Sequence, residues 1–202
     1  MSTVDAAVAA VRDGRPIIVP TDTVYGLAAD GLSSAAAAAL YTVKGRAARQ
    51  PTALVVASVD LVHVALPGLS ADVVRAIEAL LPGPLTLVVP NPDRRFPWLS
   101  VERPDTLGLR VPAFSGPGAE VLEEVSFLVA TSANLPGGPD PKSLEEVPAE
   151  LLDAVAAAVD GGPLPGVPST VVDLTGPEPA ILREGAISAA EVRARLAGLT
   201  DR

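Results

Sequence analysis

Apolar residues in this chain follow two rhythms. Short runs rich in Val, Leu and Ile alternate with stretches where apolar side chains return every three or four positions. The first pattern predicts strands near 16–20, 53–57, 84–90, 106–111, 127–131, 169–174 and 179–183. The second predicts helices over 3–13, 34–44, 59–65, 70–81, 115–124, 144–157 and 188–197. The stretch after Ser70 shows the logic most clearly: Ser70 caps, Val73, Val74, Ile77, Leu80 and Leu81 form a stripe, and Gly83 stops the helix. At the N-terminus Val4, Ala7, Val8 and Val11 share one helical face, with Ser2 or Thr3 as cap and Gly14 as stop. Strands interleaved with helices imply an α/β sheet covered by helices, and spacing leaves parallel and mixed pairing both open. Two Pro/Gly-rich stretches, 135–141 (LPGGPDP) and 161–168 (GGPLPGVP), read as long surface loops suited to a rim or lid.

The chain of 202 residues fits one domain over 1–202, large enough to bury a real core. A net charge of −9 argues against a protein that coats nucleic acid, although it permits a local basic pocket. There is no cysteine, so disulfides, thiolate nucleophiles and Cys-based metal sites are excluded. The single histidine, His63, lies in a predicted helix (VDLVHVALPG) and reads as a surface or core-edge residue. Neither a signal peptide pattern nor an apolar segment of membrane-spanning length is visible, so a soluble, cytoplasmic protein is expected.

No P-loop or dinucleotide glycine fingerprint occurs. Four polar clusters instead sit at the ends of predicted elements, where α/β sheets place ligands. The first is VPTDTVYGLAAD (19–30), whose hydroxyls and Asp22 suit either a turn or a grip on a small polar ligand. In YTVKGRAARQP, Lys44, Arg46 and Arg49 crowd a helix C-terminus, which fits macrodipole compensation or a phosphate site. The third, FLVATSANLPGGPDPKS, runs a buried strand into Thr131, Ser132 and Asn134 and on to Lys142. The fourth, VPSTVVDLTGPEPAILREGAI, starts with Ser169 and Thr170 and ends with Arg183 and Glu184. Arg110 adds a cation inside the apolar strand TLGLRVP, where it must find an acceptor or point outward.

Taken in order, PTDTVYGL, KGR, PGPLT, LRVP, TSAN, PSTVVD and ILREGAI resemble the threonylcarbamoyl-AMP synthase (YrdC-like) family. These blocks span roughly 16–187, and the family's Lys-x-Arg and Ser-x-Asn signature is matched by Lys44, Arg46, Ser132 and Asn134. The resemblance implies a twisted, parallel-to-mixed sheet with helices, curved around a deep, positively charged cavity. It implies an enzyme joining L-threonine, bicarbonate or carbon dioxide and ATP into threonylcarbamoyl-AMP and pyrophosphate, with Mg2+ on the triphosphate and no protein metal ligand. The product would pass to a tRNA-modifying threonylcarbamoyl transferase complex, so that tRNA is reached only indirectly.

By matching position, the resemblance assigns Thr23, Arg110, Ser132 and Ser169 to L-threonine, Arg110 through the carboxylate. It assigns Lys44, Arg46, Thr106, Asn134, Lys142 and Arg183 to ATP, with Lys44, Arg46, Ser132 and Asn134 as the catalytic set. The chain departs from the family where Ala47-Ala48-Arg49-Gln50-Pro51-Thr52 follows KGR, where Val55 replaces a histidine of some members, and at Pro136-Gly137. It resembles the short form, without the C-terminal domain of two-domain members. Two other readings stay in view: a paralogue forming a carbamoyl-adenylate from another amine, and a non-catalytic RNA binder. The acidic charge and a total of three Phe, two Tyr and one Trp weigh against the binder.

Overall fold

The computed structural model describes residues 2–45 and 52–198, and Arg46, Arg49 and Gln50 lie outside them. Helix α1 (Thr3–Arg12) leads into the antiparallel pair β1 (Ile17–Pro20) and β2 (Tyr25–Asp30), then α2 (Ser34–Lys44). Next come β3 (Ala53–Val56), α3 (Val59–Ala65), α4 (Ala71–Leu80), β4 (Leu85–Pro90) and β5 (Thr106–Arg110). The remainder is α5 (Pro117–Val125), β6 (Phe127–Ser132), α6 (Ala149–Ala154), β7 (Ala157–Ala158), β8 (Thr170–Asp173), β9 (Ala180–Arg183) and α7 (Ala189–Ala197). Serine caps start the helices as local chemistry demands: Ser2 forms a capping box with Asp5, and Ser33, Ser58, Ser70 and Ser188 each accept a first-turn N–H.

The described strands form one sheet in the order β7-β1-β2-β6-β3-β5-β4-β8-β9. Pairs β1/β7, β3/β5 and β4/β8 are parallel and the others antiparallel, so the sheet is mixed. Side chains alternate between its faces. Ile17, Val19, Val55 and Leu128 join α1 and α5 in one core, whereas Ile18, Leu54, Val56 and Val129 join the larger core of α2, α4 and α7. Both faces are buried, which explains why β1 and β3 read as continuous apolar runs rather than alternating ones.

Two expectations need correction. The apolar pattern predicts no strand over residues 25–30, yet β2 is an interior strand of the sheet, paired with β1 and β6 and almost wholly buried. Gly26, Ala28 and Ala29 are poor strand formers, and pairing on both sides overrides that preference. The helix expected over 144–157 is broken into a 3-10 turn at Leu144–Glu146, the short α6, and β7 beside β1. Pro148 causes the first break, because it holds Val147 extended (φ −69°, ψ 128°) and offers no N–H.

The two Pro/Gly-rich stretches are loops, and both are laced to the β1–β2 turn. Tyr25 N–H donates to Pro141 O (2.9 Å), Gly166 N–H to Thr23 O (3.0 Å), and Leu164 N–H to Lys142 O (2.7 Å). The other side of that turn is held by α5, where Gly118 lies so close to β1 that an added Cβ would sit 2.3 Å from Pro20 O. Replacing Gly118 by Ala should therefore cost about 1–3 kcal/mol of stability, read from the urea midpoint. An unchanged midpoint would mean that α5 shifts freely from the turn.

Candidate active site

The sequence places Arg110 in a strand otherwise made of apolar residues, and the structure supplies its acceptor. Arg110 Nη2 donates to Asp22 Oδ1 (2.6 Å) and to Thr23 Oγ1 (3.2 Å). The second Asp22 oxygen accepts from Ala113 N–H (3.3 Å). Both side chains are largely buried, at 13% exposure for Arg110 and 4% for Asp22. The contact joins the end of β5 to the turn between β1 and β2, although β6 and β3 lie between β2 and β5 in the sheet.

Burial is the main influence on this pair. It pushes the Asp22 carboxyl above the ordinary carboxylate range, against the opposing pull of Arg110. It likewise pushes the Arg110 guanidinium down, countered by Asp22 and reinforced by the like charge of Arg183 nearby. Asp22 is thus paired with Arg110, while the second cation, Arg183, acts on Arg110 as a like charge. Arg110 Nε is buried without a hydrogen-bond partner. A further anion at this cluster would relieve both deficits.

The hydroxyls have a definite polarity. Thr21 Oγ1 gives its proton to Val24 O (2.7 Å), so in the 3.1 Å contact between Thr21 and Thr23 the donor is Thr23. Thr23 Oγ1 therefore donates to Thr21 and accepts from Arg110, and its remaining lone pair can only receive a donor. An amine or hydroxyl on a ligand meets that requirement.

The PST and REGAI segments build the adjoining wall. Arg183 donates from Nε (3.2 Å) and Nη2 (2.8 Å) to Ser169 O, and Ser169 Oγ lies 2.8 Å from Thr86 Oγ1. The buried Thr170 hydroxyl accepts Gly185 N–H (2.9 Å) and Ile187 N–H (3.1 Å), stitching the two segments together. Gly185 passes so close to Pro168 that a Cβ there would meet its carbonyl at 2.2 Å.

A third group forms around Lys44, which is buried at the end of α2. Its ammonium donates to Ser132 O, Asn134 O and Asn134 Oδ1. Ser132 Oγ donates to the same amide oxygen (2.8 Å), while Asn134 Nδ2 donates to Gly138 O (2.6 Å) and Asp140 Oδ1 (3.2 Å). Lys44 and Asn134 thus organise the loop that follows β6.

The structure therefore joins Thr23 with Arg110, Ser169 with Arg183, and Lys44 with Ser132 and Asn134. The polar side-chain contacts of two other assigned residues are local. Thr106 donates to Arg103 O (3.0 Å), and the exposed Lys142 ammonium lies 3.9 Å from Glu146. Arg46 lies outside the described residues. His63 is partly exposed beside Glu78 (3.4 Å), as its helical position suggested. Reading the sequence gave no site role to Thr86 and none beyond a general one to Asp22. The signal for Thr86 is a polar residue on the half-buried face of β4, between the fully buried Leu85 and Leu87. For Asp22 it is an acid beside two hydroxyls and an arginine elsewhere in need of a partner. Among the described residues no group of three or more His, Asp or Glu converges.

Fold and site together define a mixed-sheet α/β protein with a buried, cation-rich cluster suited to a small ligand that carries an anion and a donor. Residues 9–185 match the family model Sua5_yciO_yrdC, described as "Telomere recombination", and the chain belongs to that family. It is 36% identical over 184 residues to a Mycobacterium tuberculosis protein provisionally named a threonylcarbamoyl-AMP synthase, covering 91% of this chain and 84% of that one. It is 34% identical to the threonylcarbamoyl-AMP synthase of Pyrococcus abyssi over 90% of its own length and 54% of that protein's. The crystal structure of Pyrococcus abyssi Sua5 complexed with L-threonine superposes with a TM-score of 0.84 at 31% identity, covering 95% of this chain and 56% of that one. Escherichia coli YciO superposes with a TM-score of 0.80 at 26% identity, covering 92% and 90%.

The Lys44 cluster makes a prediction independent of any ligand. Lys44→Met keeps the stem but leaves three acceptors without their cation. It should lower stability by about 2–4 kcal/mol and speed proteolytic cleavage within 135–141. Unchanged urea midpoint and cleavage rate would show that the loop does not depend on Lys44.

Proposed function

We propose that this chain is a threonylcarbamoyl-AMP synthase, forming L-threonylcarbamoyl-AMP and pyrophosphate from L-threonine, bicarbonate or carbon dioxide, and ATP. The observation that carries the reading is the buried Arg110–Thr23 pair, in a fold shared with a relative whose structure was solved with L-threonine. Arg110 and the spare lone pair of Thr23 match, respectively, the carboxylate and the amine or hydroxyl of an amino acid.

In the reaction, the deprotonated amine of threonine attacks carbon dioxide, forming the carbamate C–N bond. A carbamate oxygen then attacks the α-phosphorus of ATP, and the bond to the pyrophosphate oxygen breaks. Both steps need alignment and charge neutralisation rather than a covalent nucleophile. Arg110 orients the carboxylate, Ser169 and Ser132 border the amino acid, and Arg183 neutralises phosphate charge, the role that the family resemblance also gives to Arg46. Lys44 and Asn134 serve the nucleotide by shaping the loop after Ser132. Magnesium, held by phosphate oxygens and water, would neutralise charge on the triphosphate. The adenylate passes to a transferase complex that modifies tRNA, in the cytoplasm. No described helix is long and apolar enough to cross a membrane.

Purified protein given ATP, magnesium and bicarbonate should release pyrophosphate when L-threonine is added, with the threonylcarbamoyl-AMP mass among the products. Release with a different amine would favour the paralogue, and salt-sensitive RNA binding without turnover would favour the binder. Arg110→Ala should raise the threonine KM at least ~10-fold, equivalent to ~1.4 kcal/mol, with less than a ~3-fold change in the ATP KM. Equal effects on both substrates would remove Arg110 from the amino-acid site.

A further inference from the structure

We infer that Asp22 is a positioning residue for substrate selection, acting on the amino acid through Arg110. The inference rests on the synthase reading and assigns a role beyond it.

Arg110 has three nitrogens, and the protein commits only one of them. Nη2 is pinned between Asp22 Oδ1 (2.6 Å) and Thr23 Oγ1 (3.2 Å), which uses both of its protons. Nη1 makes no hydrogen bond among the described residues and is not one of the buried unpaired atoms, so it faces accessible space. Nε is buried and unpaired. Two bonds to Nη2 fix the plane of the guanidinium and leave Nη1 for an incoming carboxylate.

Asp22 can hold that plane because it is itself held. Its second oxygen accepts Ala113 N–H (3.3 Å), in the segment that leads from β5 into α5. Its backbone lies in the turn that is laced to both long loops and ordered by the Thr21 hydroxyl. The nearby Arg183 donates to Ser169 O instead, so the ion pair of Asp22 is with Arg110. Asp22 already offsets the charge of Arg110, so what the pair offers a carboxylate is chiefly a donor held in a fixed plane. Without Asp22 the guanidinium keeps only its bond to Thr23 and is free to rotate about it, and the carboxylate meets a donor in the wrong plane.

The test uses the full chain and four proteins: wild type, Asp22→Asn, Arg110→Ala and the double variant. Asp22→Asn keeps size and one acceptor oxygen but loses the charge and presents an amide to Ala113 N–H. In the wild-type background it should lower kcat/KM for threonine at least ~10-fold while changing the KM for ATP less than ~2-fold. In the Arg110→Ala background the same change should cost less than ~2-fold, because the residue through which Asp22 acts is gone. Asp22→Glu, which retains the charge one methylene further out, should give an intermediate loss confined to threonine, and it replaces the Asn variant if that one fails to fold. Multiplicative losses in the double variant, parallel losses for both substrates, or no loss would each overturn the positioning role. A wild-type chain without threonine-dependent pyrophosphate release would overturn the synthase reading, and this inference with it.

Discussion

Covering a sheet on both faces constrains everything else in this molecule. Ile17 and Val19 face one core while Ile18 faces the other, and the same division recurs at Leu54, Val55 and Val56. Polar side chains in the middle of such strands would be stranded away from water, so chemistry is displaced to strand ends and the turns beyond them. Thr23 before β2, Ser132 at the end of β6, Arg110 at the end of β5 and Ser169 before β8 all obey that rule. The site is a consequence of how the sheet is buried.

Within that frame, polar groups from distant parts of the chain are satisfied by each other. Arg110 meets Asp22 across 88 positions, and Lys44 meets Asn134 across 90. Each contact ties an element to a loop: β5 to the β1–β2 turn, and α2 to the loop after β6. The two long Pro/Gly stretches are anchored to the same turn by backbone bonds. Their proline content limits the conformations available to the free chain, which lowers the entropic cost of holding long loops in place. The rim of the site is therefore built from loops that the fold holds by their backbones, leaving side chains for a ligand.

The division of labour among the cations follows from burial. Lys44 is almost fully enclosed and spends its three protons on carbonyl and amide oxygens, so its role lies in ordering the Ser132–Asn134 segment. Arg110 is also enclosed but only partly committed, and its planar fork keeps donors in reserve. Arg183 is exposed and grips Ser169. Three positive residues that look equivalent in composition thus differ in what they can offer a ligand. The net charge of −9 reports none of this, because it averages over the surface.

Much of the architecture was legible in one dimension because its causes are local. Serine caps, the stripe from Val73 to Leu81, and apolar runs such as Ile17-Ile18-Val19 act over a few residues, and they located most strands and helices. The seven motif blocks pointed to the family for a similar reason, since each preserves a short stretch around a functional side chain. What the sequence could not determine was pairing. The Gly-Ala-rich β2 became a central strand because neighbours on both sides supplied hydrogen bonds that its own composition does not advertise. Asp22 looked like a turn residue, and the structure made it the partner of Arg110. The order of the strands, their mixed directions and the pairing of Asp22 with Arg110 depend on contacts between residues far apart in the chain. Such contacts carry no local periodicity, so only the tertiary structure decided them.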